Sequence, residues 1–359
     1  MKFWNRINPK HPALIKLLNW EYWPAKMFYL PLWFYLPYLQ IRARHLCFFT
    51  AANPGIDTGG LGLESKFDTI EKIPAHLKPK TILVGKADRY EDSLQQLEEA
   101  GIDFPLIVKP DVGYRGLLVK KIDDQESFKN YLQRYRIDFI VQEFVQVLNE
   151  FGVLYYRLPS DEKGQITSLT FKEFLHVTGD GHSTLSALIK AKPRAQLQLE
   201  RLSKSHADQL ANIPAKGEHV PLGLIGNHSK GTSFINANQH INEALVDTFD
   251  QITKQLPGVF YGRYDIKCPS FEDLKAGRNI TIIEINGVCA EPTHIYDAQK
   301  SSYFGALKDI MKHWKIIYQI SKANRKMGTR YMPVSELINR YFQLKTYLKG
   351  LDGAEQQEV

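Results

Sequence analysis

Two pairs of residues at strand spacing carry the chemistry that is legible in this chain. Arg263 and Asp265 stand two apart in residues 259–267, and Glu284 and Asn286 stand two apart in residues 280–287. Both stretches read as strands, so alternation puts each pair on one sheet face. Two carboxylates and an amide converging across a hairpin are hard oxygen donors of the kind Mg²⁺ takes, one or two ions, with Mn²⁺ as an alternative. Arg263 beside them can neutralise a phosphoryl group in transfer. The competing reading is a structural salt-bridge network across the hairpin.

Upstream, Lys109 closes the apolar run of residues 104–108 and is followed by Gly113 and Gly116. A lysine at the end of a buried strand, beside a glycine-containing turn, can meet phosphate oxygens together with backbone N–H groups. Glu150 opens a later strand and can accept from ribose hydroxyls, or it is an exposed edge glutamate. Lys172 lies on the strand expected over residues 166–175. The segment Gly179-Asp180-Gly181-His182-Ser183-Thr184 reads as a tight turn whose Ser183 or Thr184 caps the following helix. The glycines at 59, 60 and 62 match neither G-x-G-x-x-G nor the Walker loop, so a plain turn competes with a phosphate cradle.

The elements that must position these residues belong to a chain of 359 residues with 43% hydrophobic and 24% charged residues, long enough for two or three folding units. That composition excludes a collagenous, wholly disordered or disulfide-stapled protein. Cys47, Cys268 and Cys289, an odd number at wide spacing, read as free thiols in a reducing compartment. Strands are expected over residues 45–50, 80–85 and 139–145, a helix over 88–100, and two basic helices over 301–322 and 334–349. Residues 350–359, polar and terminal, are expected to be disordered.

The net charge of +7 is unevenly spread: residues 1–45 hold seven Lys/Arg against one acid, and residues 308–349 hold ten against two. The acidic middle is expected to do the chemistry, while the ends face something anionic or are solvated helix faces. Four of the five Trp lie in the first 33 residues. A spanning helix needs about 20 apolar residues, and here it would include Lys26, Pro24, Pro31 and Pro37. The segment therefore reads as an interfacial anchor, or as an arm packed on the protein's own body or on a second subunit. No secretory signal is recognisable, so the expected location is cytoplasmic, with peripheral contact to the inner face of the membrane left open.

Residues 104–297 resemble the ATP-grasp superfamily. The hairpin Gly262-Arg263-Tyr-Asp265 with Glu284-Ile-Asn286 is similar to that of the D-alanine–D-alanine ligase group, and residues 177–189 resemble a segment of cyanophycin synthetase-like modules. The resemblance implies an α+β fold of two lobes clasping ATP (residues 104–300), preceded by a small α/β domain (44–103) and the aromatic, basic arm (1–43). It assigns ATP contacts to Lys109, Gly113, Gly116, Glu143 and Glu150, metal binding to Asp265, Glu284 and Asn286, and catalysis to Arg263 and Lys172. Substrate contacts fall to His182, Ser183 and Thr184, and to Glu291, His294 and Tyr296 in the segment that follows the metal strand. The implied reaction joins a carboxylate to an amine through an acyl phosphate, with an amino acid or an amino-acid-bearing metabolite as substrate. A phosphotransferase and a non-catalytic membrane-surface scaffold are the alternatives. No nucleic-acid partner is expected, and a homodimer is left open.

Overall fold

The computed structural model describes residues 12–113, 116–223 and 226–356, with side chains through 349. Eleven strands are found among them: β1 (Thr81–Val84), β2 (Leu106–Pro110), β3 (Lys120–Ile122), β4 (Phe139–Glu143), β5 (Glu150–Tyr156), β6 (Gln165–Glu173), β7 (His176–Thr178), β8 (His219–Pro221), β9 (Ser233–Asn236), β10 (Tyr261–Lys267) and β11 (Thr281–Asn286). They form a four-stranded sheet ordered β1-β4-β2-β3, a five-stranded sheet ordered β11-β10-β5-β6-β9, and a β7-β8 ribbon, all antiparallel. The architecture is mixed α and β with two principal antiparallel sheets, as the α+β reading expects.

Alternation explains why the five-stranded sheet has one apolar and one polar face. Phe151, Val153 and Tyr155 of β5 join Tyr264 and Ile266 of β10 in a core with Leu245, Phe249 and Ile252 of the helix Glu243–Lys254. That helix starts where Asn242 accepts a hydrogen bond from the Leu245 N–H at 2.9 Å. The residues between those apolar ones point the other way: Glu150, Arg263, Asp265 and Lys267, every charged residue of β5 and β10, line the cleft facing the four-stranded sheet, while Leu154 and Tyr261 pack in a second core with Ile316 and Ile317.

Several expected elements differ. Residues 48–51 form a 3₁₀ turn, not a strand, because Asn53 holds the chain in a different path. The buried Asn53 carboxamide accepts from the Phe260 and Tyr261 N–H groups at 2.9 Å each and donates to the Gly59 and Tyr261 carbonyls at 3.0 and 2.8 Å. Residues 44–103 do not build a sheet of their own: β1 pairs with β4 in the four-stranded sheet. The C-terminal helices run Tyr303–Lys326 and Val334–Gln356, so helix continues seven residues into the stretch expected to be disordered. Residues 357–359 lie outside the described residues.

The arm comprises short helical turns and the helix Leu32–Ala43. Its inner side chains Phe28 and Leu32 pack against Ile295, Ala306, Leu307 and Ile310, so this face of the arm is docked on the protein's own body. No helix among the described residues is long and apolar enough to cross a membrane.

Candidate active site

The cleft between the two sheets has a volume of about 1060 Å³. One end lies at the hinge where β4 leads into β5 and is lined by Ile107, Leu117, Val119, Phe144 and Val145; the other lies under the arm, by Trp20, Tyr22, Arg194, His228 and Tyr296. Lys109, Lys172, Arg263 and Lys267 supply cations to its lining.

Lys109 reaches the cleft because Leu106 and Val108 turn inward to their own core, leaving Ile107 and Lys109 on the opposite face. Its ammonium donates to the Ile283 carbonyl of the other sheet at 3.3 Å. That carbonyl is available because β11 bulges: Asp265 pairs with Glu284 and Ile266 with Ile282, which leaves Ile283 unpaired. Burial lowers the Lys109 pKa to about 8 even though Glu284 opposes the shift.

On the polar face of the larger sheet, cross-strand register builds a chain of charges. Glu150 stands opposite Lys172 on β6 and opposite Lys267 on β10, while Asp265 stands opposite Gly152. Lys172 Nζ is 2.6 Å from Glu150 Oε1 and 3.2 Å from Asp265 Oδ1. Arg263 Nε and Nη2 donate to the two Asp265 oxygens at 3.0 and 3.2 Å, and Asn286 Nδ2 lies 3.3 Å from Oδ2. Burial alone would raise the Asp265 pKa, but Arg263 and Lys172 hold it below the usual carboxylate range. Burial likewise opposes the charge on Lys172 and Arg263, and their acidic partners reverse the shift in both. Gly152 leaves space for these long side chains: a Cβ there would sit 3.2 Å from Thr293 Oγ1 and 3.5 Å from Arg263 Cδ.

The donors expected for a divalent cation fit it in part. Glu284 and Asn286 bring a carboxylate and a carboxamide to the cleft on one face of β11. Asp265 is already committed, since both of its oxygens accept from Arg263 and it also faces Lys172. Among the described residues no group of three or more His, Cys, Asp or Glu side chains is arranged to hold a metal; the expected set is of another kind, two carboxylates and the Asn286 carboxamide. Glu150 is likewise engaged by Lys172, so a ribose hydroxyl would compete with a buried ion pair. Gly113 and Gly116 line the cleft and are held by lysines the sequence reading did not single out: Lys66 donates to the Gly113 carbonyl at 2.5 Å and Lys230 to the Gly116 carbonyl at 2.8 Å. Glu143 lies at the hinge end, paired through its backbone to Lys80.

At the arm end, Tyr296 donates to Glu291 at 2.6 Å, and burial raises the Glu291 pKa to about 7. His294 does not face the cleft; it is buried beneath, 2.9 Å from Ser168 Oγ and 3.3 Å from Asp309, bracing the loop after β11 on β6. His182, Ser183 and Thr184 are not among the cleft's lining residues either. The His182 and Ser183 N–H groups cap Asp180, and Thr184 accepts from Ala187 N at 3.3 Å to start a helix, so all three serve local turn and cap geometry. The sequence reading missed Glu21, which reaches from the arm to Arg194 Nη2 at 2.7 Å and His228 Nε2 at 2.9 Å, and Tyr22, whose ring stacks on His228 at 5.8 Å.

The glycines at 59 and 60 serve close backbone packing. Val288 and Cys289 donate to the Gly59 and Gly60 carbonyls at 3.1 and 3.0 Å. A Cβ on Gly60, whose φ is +87°, would lie 2.5 Å from Gly287 Cα.

No protein-family profile matches the sequence, and no curated protein is significantly similar to it. Among solved structures, the chain is similar to a bifunctional glutathione synthetase from Pasteurella multocida, with 18% identity over 70% of this chain and 35% of that one, at a TM-score of 0.39. A D-alanine–D-alanine ligase from Bacillus anthracis matches at 14% identity over 76% of this chain and 71% of that one, TM-score 0.41. The VanG D-Ala:D-Ser ligase from Enterococcus faecalis matches at 12% identity over 74% and 64%, TM-score 0.41. The chain thus spans about a third of the synthetase and under two thirds of the VanG ligase, and what it does has to be read from its own residues.

Proposed function

We propose that this chain is an ATP-dependent carboxylate–amine ligase. The observation that carries the reading is the meeting of Lys109 with the β11 bulge, directly over the Arg263–Asp265–Lys172–Glu150 chain. An apolar slot at the hinge end suits a flat base, and the buried cations at the centre suit a triphosphate. Glu284 and Asn286 would hold the divalent cation that accompanies the nucleotide, which neutralises phosphate charge when bound. In the first step a substrate carboxylate oxygen attacks the γ-phosphorus and the bond to ADP breaks. In the second, an amine nitrogen attacks the acyl carbon, inorganic phosphate leaves and the nitrogen loses a proton.

The protein performs little covalent work in this scheme. Lys109, Lys172 and Arg263 hold the reacting anions in line and offset their charge in a site already desolvated. At the arm end Glu291 and Arg194 present an acid and a guanidinium, and a substrate carboxylate would share Arg194 with Glu21, which already pairs with it. Incubation with Mg-ATP and pooled amino acids and metabolites, followed by product mass, tests the reading. Two components joined with loss of water support it, whereas a product that gains one phosphate assigns a phosphotransferase instead.

A further inference from the structure

Two helices on one side of the protein run alongside each other in the same direction. The Phe28 and Tyr303 ring centroids are 5.8 Å apart, Tyr35 and Trp314 pack on the same buried clusters, and Arg42 lies 5.8 Å over the Tyr318 ring. Contacts therefore progress from Phe28, just before Leu32–Ala43, to the last turn of that helix as they progress from Tyr303 to Tyr318 along Tyr303–Lys326. Buried Leu32 and Leu39 face inward, as do Ile310 and Ile317.

The outward faces are of two kinds. On the arm helix, Trp33 (56%), Phe34 (78%), Tyr38 (49%) and Ile41 (77%) are exposed, and Leu30 extends the row; their three- and four-residue spacing makes one stripe. On its neighbour, Phe304 is 79% exposed and Lys308, Lys312, Lys315, Lys322 and Lys326 follow at the same spacing on the solvent face. From residue 22 to residue 56 the chain has no acidic residue, while Lys26, Arg42 and Arg44 are exposed. An exposed apolar row of this size is uncommon on a solvated surface, and Trp and Tyr suit the boundary between water and lipid. A second copy packed on the apolar row would leave the neighbouring lysine row without an anionic partner, whereas an anionic lipid surface meets both rows at once.

We propose that this face lies on an anionic lipid bilayer, with the aromatic and aliphatic row at headgroup depth and the lysine row against the headgroups. The attraction combines apolar burial with about 1 kcal/mol per lysine near the surface, so it falls with salt.

The test is co-sedimentation of the full chain with vesicles of phosphatidylcholine alone or mixed with phosphatidylglycerol, at low and high salt. Binding is expected only with phosphatidylglycerol and is reversed by salt. Replacing three lysines (Lys308→Gln, Lys312→Gln, Lys315→Gln) should weaken it roughly 100-fold, about tenfold per 1.4 kcal/mol. Phe34→Ser with Ile41→Ser should also reduce it, and because these side chains are exposed, unchanged thermal melts would show that the variants still fold. The proposal is overturned if the protein stays in the supernatant with phosphatidylglycerol vesicles at low salt, or if both sets of variants bind as the parent does. Sedimentation velocity that shows self-association lost in the Phe34/Ile41 variant, without vesicle binding, would assign the face to a second copy and overturn it as well.

Discussion

Lys109 Nζ touches the carbonyl of Ile283 at 3.3 Å, joining two sheets through residues 174 positions apart. The lysine is buried and its neighbours include Glu284, Asp265 and Glu150, yet burial still depresses its pKa to about 8. A polyphosphate beside it would favour the charged form, so nucleotide binding should take up protons near pH 8 and weaken above it. Calorimetry in buffers of different ionisation enthalpy measures the uptake. Lys109→Gln should weaken ADP binding roughly 10- to 100-fold, the worth of one charged hydrogen bond, and remove the pH dependence.

Asp265 links Arg263 and Lys172 and should be costly to neutralise. Asp265→Asn breaks a buried ionic cluster and should destabilise the fold by about 3–5 kcal/mol in urea denaturation. Because the folded carboxyl titrates below its ordinary value, its stabilisation is complete above the usual carboxylate range and is lost as pH falls through the lowered value. The variant should therefore show a shallower loss of stability on acidification than the parent.

Glu291 has the opposite sign, its pKa raised by burial to about 7 while the Tyr296 hydroxyl pulls it down. If it accepts the proton of the attacking amine, turnover should rise through pH 7 as the carboxylate forms. Tyr296→Phe should move that rise to higher pH, and Glu291→Gln should flatten it; pH–rate profiles of ADP release distinguish the two.

Asn53 is fully buried and satisfies four backbone groups of two segments. Asn53→Ala removes the acceptor of the Phe260 and Tyr261 N–H groups and should cost about 3 kcal/mol or more in stability. Because this carboxamide also holds the Gly59 carbonyl, which in turn receives Val288, local exchange protection should fall first in the loop after β11.

The part of the site legible in sequence is the part built by local periodicity. Arg263 with Asp265 and Glu284 with Asn286 share faces because side chains alternate along strands, and Lys109 was marked by ending an apolar run. The arm end was not legible in the same way. Glu21 meets Arg194 and His228 across 173 and 207 residues, and no local pattern encodes such a meeting. The turn around His182 lies outside the cleft lining, and there its backbone N–H groups bond Asp180 and Thr184 caps the next helix. The strand expected over residues 45–50 has the right apolar composition, but Asn53 draws it into a 3₁₀ turn through bonds to a distant strand.

The most direct test of ligase chemistry is ADP release from Mg-ATP with pooled amino acids and metabolites, comparing the parent with Glu284→Gln. Release that depends on divalent cation and on an acceptor, is lost in the variant, and yields a product joined with loss of water is the expected result. An ATP-binding protein that releases no ADP with any acceptor, or one whose release is unchanged by Glu284→Gln, would contradict it.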